Sequence, residues 1–368
     1  MLTDNSKKTP LYTNHINSNA KMVEFFNWLL PLEFSGILRE AKACRSNCLM
    51  FDISHMGQIR IKGDNSEAFL QELTANDVSS IKPNGLQYNL FINSQGNIID
   101  DFVLYRLRNS FLCIVNACNK DKVLDWLNKR KFNDLDIVDE TENNAFISLQ
   151  GPNSQCLLEN VVGVGLDDLS YMNFLDLDLG GVKLTISRSG YTGEDGFEII
   201  CPRYYASNLW EKIKEGRGRV IPDLGGLGAR DILRIEAGYP LYGNDIDETT
   251  NPLEASLKWV VKYNSKDFLG KEKILEILRK GIERKRVGFI MEDRGVPRKD
   301  YLIYSLQGSV VGKVTSGTYS PNLDRFIGMG YIDINFSYEN TPIIIDIRGK
   351  SFRAFVHRYP FIKTRVKS

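Results

Sequence analysis

Asp100 and Asp101 stand side by side in the run IIDDFVLYR, whose alternation predicts a strand over Ile98–Arg106. Alternation sets Ile99, Asp101, Val103 and Tyr105 on one face and Ile98, Asp100, Phe102 and Leu104 on the other. Both faces are mostly apolar, so at least one carboxylate should meet buried surface, where an ionised acid is costly unless it is paired or hydrogen-bonded. An acid held in that way can orient a substrate or stabilise a cationic centre. The plainer reading is an exposed strand start just after a turn. A further acid, Glu198, lies in the apolar run FEIIC behind SRSGYTGEDG and needs a donor. The glycines Gly190, Gly193 and Gly196 imply tight turns or close backbone approach to a ligand, or simply a glycine-rich hairpin loop.

Arg230, in GGLGARDILRIEAG, falls near a helix start, where its planar fork could orient a carboxylate or a heteroaromatic edge. The glycines there are not a nucleotide loop. Gly226-x-Gly228-x-x-Asp231 lacks the third glycine of the dinucleotide fingerprint, and GxxxxGK[ST] is absent. His55, in FDISHMG, has no partner visible in sequence and reads as a structural histidine. The other histidines, His15 and His357, are far from it, and the six cysteines form no CxxC pair. A zinc site or a histidine-based triad therefore has little to be built from, and no metal is expected. The cysteines read as buried free thiols in a reducing compartment.

The elements that must hold these residues follow from periodicity. AKMVEFFNWLL (Ala20–Leu30) has helical spacing and ends before Pro31, and Ser35–Cys48 reads as a second helix with Ser35 as its cap. GQIRIKG predicts a strand and Ser66–Leu73 a helix. YNLFI and IIDDFVLYR flank the turn NSQGN as a hairpin, with FLCIVN pairing beside them. Lys120–Lys131 reads as a helix, AFISLQGP as a strand leading into another, and KLTIS and GFEIICP as strands around the glycine-rich turn. Helices are expected near Tyr204–Lys214, from GLGARD onward and over Gly270–Arg279; after residue 280 only short β runs remain.

At 368 residues the chain exceeds the ~250–300 at which single cores stop growing, so two or three domains are expected. A formal net charge of +1 argues against nucleic acid as a partner, because non-specific binding to a polyanion needs a basic excess. No apolar run reaches the ~20 residues that span a bilayer, so no membrane association is expected. MLTDNSKKTPLY carries no signal core, and a cytoplasmic protein is expected.

Taken in order, TPLY (9–12), AKMVEF (20–25), FDISHMGQI (51–59), NDVSS (76–80), GNIIDDFVLYR (96–106), SGYTGEDGFEI (189–199) and the long block GLGARDILRIEAGYPLYGNDIDETTNPLEASLKWVVK (226–262) resemble the glycine cleavage T-protein family. DFLGKE (267–272) and TSGTYSPNL (315–323) carry the resemblance to the C-terminal region, so that it covers essentially the whole chain. It implies an α+β fold: a three-domain cloverleaf of antiparallel sheets around a central folate channel, with an all-β, jelly-roll-like C-terminal domain. The expected division is a folate-binding region over 1–280, made of two interleaved subdomains (roughly 1–55 with 140–280, and 56–139), followed by a β-barrel domain over 281–368.

The implied reaction moves the aminomethyl-derived one-carbon unit from the lipoyl arm of the H-protein to tetrahydrofolate, a co-substrate, giving methylene-tetrahydrofolate, ammonia and dihydrolipoyl protein. By resemblance the catalytic acid is Asp101 and the pterin-recognising acid is Glu198, with Tyr191 and Arg230 near it. Met56, Tyr88, Tyr105, Asn116 and Tyr239 match positions lining the folate pocket. Asp100, on the opposite strand face, is expected to matter much less than Asp101. This sequence departs from the family's pattern at Asn27 in FFNW, where glycine is usual, at Asn97 in the turn before the catalytic strand, and at Lys42. Competing readings are a folate-dependent demethylase or methyltransferase acting on a small methylated amine or sulfonium, and a folate-binding protein without transfer chemistry.

Overall fold

The computed structural model describes residues 6–216 and 220–367. The hairpin opposite the strand that carries the two aspartates forms as expected. Leu86–Ile92 pairs antiparallel with Ile98–Arg106, which pairs in turn with Ser110–Val115. Gly57–Lys62 and Asp136–Asp139 complete this five-stranded sheet. Helices Ser66–Leu73 and Lys120–Asn128 cover one face, burying Phe69, Leu70, Val123 and Leu127 against Ile59, Phe91 and Phe102.

The second sheet has six strands, in the order Phe174–Asp178, Lys183–Ser187, Gly196–Pro202, Asn144–Gln150, Leu49–Asp52 and Asp223–Leu224. Helices Ser154–Val162 and Ala206–Glu215 pack on it around Leu157, Leu158, Leu209 and the fully buried Trp210. Between the two sheets lie helices Ile37–Ser46 and Leu227–Glu236, sharing a core with Phe51, Ile53, Tyr105, Ile114 and Phe146. Gly228 permits that approach, and Gly226 lets the Leu32 backbone pass close to the helix start. A Cβ on Gly228 would meet Ile37 at 2.6 Å, so these glycines serve close packing.

Residues after 283 form a closed six-stranded barrel of Arg284–Met291, Arg325–Asp333, Val310–Ser320, Leu302–Tyr304, Pro342–Ile347 and Lys350–His357. Val287, Phe289 and Met291 alternate into its interior, so Arg286 and Ile290 face outward, towards the preceding domains. The register shift between Val314 and Ser316 is a bulge that aims the Ser316 hydroxyl at Arg234.

Two expectations fail in the N-terminal segment. Ala20–Leu30 is not a helix but a hairpin, Lys21–Phe25 against Trp28–Glu33. Phe26 and Asn27 both take positive φ, 46° and 63°, and form the two-residue turn that matches strand twist. Met22, Phe25, Phe26, Leu29 and Leu30 satisfy helical spacing only because the chain reverses between them. Asn27 occupies a left-handed position that asparagine tolerates better than most residues, which explains how it replaces glycine there. The strand also runs through Pro31, opposite a register shift between Lys21 and Met22.

The second failure is the cap. The next helix is Ile37–Ser46, and Ser35 does not cap it. The buried Glu40 turns back instead, accepting from the N–H groups of Phe34 (2.6 Å), Ser35 (2.8 Å) and Gly36 (3.2 Å), while its other oxygen accepts from Gly226 N–H (3.0 Å). One carboxylate thus satisfies the starts of both central helices.

Candidate active site

A cavity of about 1310 Å³ opens among the two sheets, the helix pair, the N-terminal hairpin and the barrel. Asp101, Glu198, Arg230, Tyr191, Tyr88, Tyr105, Asn116, Met56 and Tyr239 all line it; Asp100 does not. Its size exceeds the ~300–1,000 Å³ of ordinary small-molecule pockets, leaving space for a long ligand and a second group.

One wall is built on the strand Ile98–Arg106. Leu90 is registered opposite Asp101, so Tyr88, two residues back on the same face, reaches the acid diagonally. The Tyr88 hydroxyl donates to Asp101 Oδ2 at 2.9 Å. Asn116, just past the end of the neighbouring strand, donates its amide to Asp101 Oδ1 at 2.9 Å. Both aspartates lie against buried surface and Asp100 is fully enclosed, which disposes of the exposed-strand-start reading. Burial pushes the Asp101 carboxyl above its usual range, while the donors Tyr88 and Asn116 and the charge of Arg286 pull it back. Trp259, 61% exposed at the rim, stacks on Tyr88 with ring centres 5.7 Å apart.

Glu198 lies in a second wall, where the strand Gly196–Pro202 runs between its two partners. Ser189 donates to its Oε2 at 2.7 Å, and Ser189, Ser187 and Tyr105 form a hydroxyl chain of 2.9 Å links behind it. Among the described residues its Oε1 has no donor. Burial raises the carboxyl, opposed by Ser189 and Arg230. The glycine-rich stretch before it is indeed a hairpin loop between paired strands. Gly190 and Gly196 make room for the Gln150 side chain and Gly193 turns at φ 76°, so at Gly190 and Gly196 the close approach is to Gln150.

Arg230 places its guanidinium carbon 4.9 Å from the centre of the Tyr191 ring, and its Nη1 is buried without a hydrogen-bond partner. Tyr191 is fixed by donating to Pro240 O and by stacking on Tyr239, ring centres 5.7 Å apart. His55, on the turn that joins the two sheets, is also buried, and its Nδ1 has no partner. Burial and the nearby Arg230 push its pKa down to about 4, so its ring is neutral at ordinary pH. Met56 follows it in the same wall. From sequence His55 reads as structural, yet it lines the cavity.

Arg286, Trp259 and Phe25 were not singled out from sequence. Arg286 lies in the charge-rich stretch KGIERKRV, whose end forms the start of the first barrel strand. Alternation with Val287 is the signal that could have set it facing away from the barrel core, but nothing local shows that this face is covered. Of the cysteines, Cys44, Cys48, Cys113 and Cys201 are buried free thiols, whereas Cys156 is exposed. Burial pushes Cys44 and Cys48 up to about 12, leaving neither available as a nucleophile. Among the described residues no cluster of His, Cys, Asp and Glu could hold a metal ion, and no helix is long and apolar enough to cross a membrane.

Comparison with known proteins bears on this arrangement. The family model for the GCVT N-terminal domain matches residues 11–265, and that for the glycine cleavage T-protein C-terminal barrel domain matches residues 284–363. The chain is 41% identical to an aminomethyltransferase of Halothermothrix orenii, over 97% of this chain and 100% of that one. It is 40% identical to one of Bdellovibrio bacteriovorus, over 97% and 99%. A crystal structure of glycine cleavage system aminomethyltransferase T from Bartonella henselae superposes with a TM-score of 0.92 at 34% identity, covering 98% of this chain and 99% of that one. With both domains matched and the likeness running end to end, the chain belongs to the glycine cleavage T-protein family of aminomethyltransferases.

Proposed function

We propose that this aminomethyltransferase takes the aminomethyl-derived one-carbon unit from the lipoyl arm of an H-protein and passes it to tetrahydrofolate, releasing ammonia, methylene-tetrahydrofolate and dihydrolipoyl protein. The observation that carries this reading is a set of unpartnered polar atoms on residues that line one cavity. Among the described residues, Arg230 Nη1 and His55 Nδ1 are buried without partners, and Glu198 Oε1 has no donor. A buried unpaired guanidinium costs several kcal/mol, so such atoms fit a ligand with matching donors and acceptors. A pterin has N–H donors along one edge for Glu198, a carbonyl for a cationic donor, and flat faces for Tyr191, Tyr239 and Met56.

Tetrahydrofolate, when bound, supplies the nucleophilic nitrogen N5 that accepts the carbon. Glu198 and Arg230 bind and orient its ring. Asp101, fixed by Tyr88 and Asn116, stabilises positive charge at the carbon in transit. No side chain is needed as a covalent nucleophile, in keeping with Cys118, the half-buried cysteine of the cavity wall, whose thiol is pushed up to about 11 by burial. The cytoplasm is the setting we propose, a reducing compartment suited to buried free thiols.

The test is formation of methylene-tetrahydrofolate from aminomethylated lipoyl carrier protein, run beside free dimethylglycine and a free sulfonium donor. Turnover with the carrier alone is expected. Turnover with a free donor and none with the carrier would overturn the proposal in favour of a small-molecule demethylase.

A further inference from the structure

Asp100 lines no part of the cavity, yet it is joined to the acid that does. The Asn116 side-chain amide has only two hydrogens and faces three acceptors at 2.9 Å: Asp100 Oδ1, Asp101 Oδ1 and the Asp101 carbonyl. Asn116 N–H donates to Asp100 Oδ2 at 3.1 Å, and the Asn119 amide to Asp100 Oδ1 at 2.8 Å. Asparagine amide torsions are broad, so the acceptor on the far side decides which way Asn116 points. We infer that Asp100 is a positioning residue for the transfer: through Asn116 it fixes Asp101, and it sets a second carboxylate behind it.

Every group bonded to Asp100 is a donor, which is the surrounding of an ionised carboxylate. Against this, burial and the charge of Asp101 push Asp100 up. The titratable and charged groups around the pair are Tyr88, Tyr191 and Arg286 near Asp101, and Tyr242 and Cys118 near Asp100, with Lys122 beside both of the latter. Arg286 is the cation that offsets the pair. Asp101, held by the Tyr88 and Asn116 donors, is therefore the acid of the pair that ionises first.

This inference rests on Asp101 being the reacting carboxylate, so Asp101→Asn belongs in the test. The measurement is the pH profile of kcat for transfer from aminomethylated carrier, with KM for tetrahydrofolate, in Asp100→Asn, Asp101→Asn and Asn116→Ala. Asp100→Asn is expected to lower kcat about tenfold with KM little changed. It should also move the acid limb to higher pH, because an amide no longer accepts from Asn116 at both of its atoms and Asn116 loosens its hold on Asp101. Asn116→Ala, which removes that donor outright, should move the limb further the same way. A limb that stays in place or moves to lower pH in Asp100→Asn overturns the inference. If Asp100→Asn does not fold, Asn119→Ala leaves Asp100 Oδ1 with Asn116 as its side-chain donor and draws Asn116 away from Asp101; it should give the same upward shift at smaller size, and an unmoved limb there overturns the inference equally. Wild-type turnover in Asp101→Asn would instead sink the parent reading.

Discussion

Arg230 and Arg234 lie one turn apart on the helix Leu227–Glu236, and the protein treats them in opposite ways. Arg234 is fully partnered by the chain itself. It donates to Asp231 (2.8 Å), Asp245 (2.5 Å), Tyr239 O (3.2 Å) and the barrel's Ser316 (2.8 Å). Arg230 lies over Tyr191 with a buried nitrogen that donates to nothing. The same contrast separates buried acids. Glu236 takes Arg45, Ser320 and Asn322, a brace between helix and barrel, whereas Glu198 keeps an open oxygen. Arg234 and Glu236 hold the domains together, whereas Arg230 and Glu198, both lining the cavity, keep atoms free for other partners.

Substitutions can break that contrast. Arg234→Met should be the most damaging to stability, by ~3–5 kcal/mol, because it strands Asp245 as an unpaired buried charge. Urea unfolding measures it. Arg230→Met should leave stability unchanged or raised, since a costly unpaired cation is removed, while folate affinity falls by about one to two decades by calorimetry. Equal destabilisation by the two changes would erase the distinction. Glu198→Gln should weaken folate by a similar ~1.5–3 kcal/mol. Its carboxyl is raised in the fold, so the folded state binds that proton more tightly than the unfolded chain, and ionising it costs stability as pH rises past its unfolded value. Glu198→Gln should therefore raise Tm at neutral pH while binding is lost. The smallest effect concerns salt. Between ~0.05 and ~0.5 M, turnover with an acidic carrier protein should fall through its apparent affinity, while folate binding, largely enclosed, changes less.

Much of this was legible in the sequence for a physical reason. Asp101 and Glu198 are acids in apolar runs, and such acids announce a buried partner or a site. The β hairpins and the barrel follow from alternation and turn residues. The wall residues Met56, Tyr88, Asn116 and Tyr239 were legible only through family resemblance, because no local pattern says that four separate segments converge. The hairpin Lys21–Glu33 was missed because its turn, Phe26-Asn27, lacks glycine and the reversal imitates helical spacing. Glu40 as a shared cap and Arg286 as a barrel contribution are tertiary facts, invisible until the neighbouring element is in place.

The most direct test of the channel as a transfer site compares Asp101→Asn with the wild type on two readouts from the same samples. One is methylene-tetrahydrofolate formation from aminomethylated carrier, and the other is tetrahydrofolate affinity. The amide keeps the shape and loses the charge, so turnover should fall about 10²–10³-fold while folate still binds measurably. Turnover within a few-fold of the wild type, with folate bound equally well, would contradict the assignment of Asp101 and with it the chemistry proposed for this cavity.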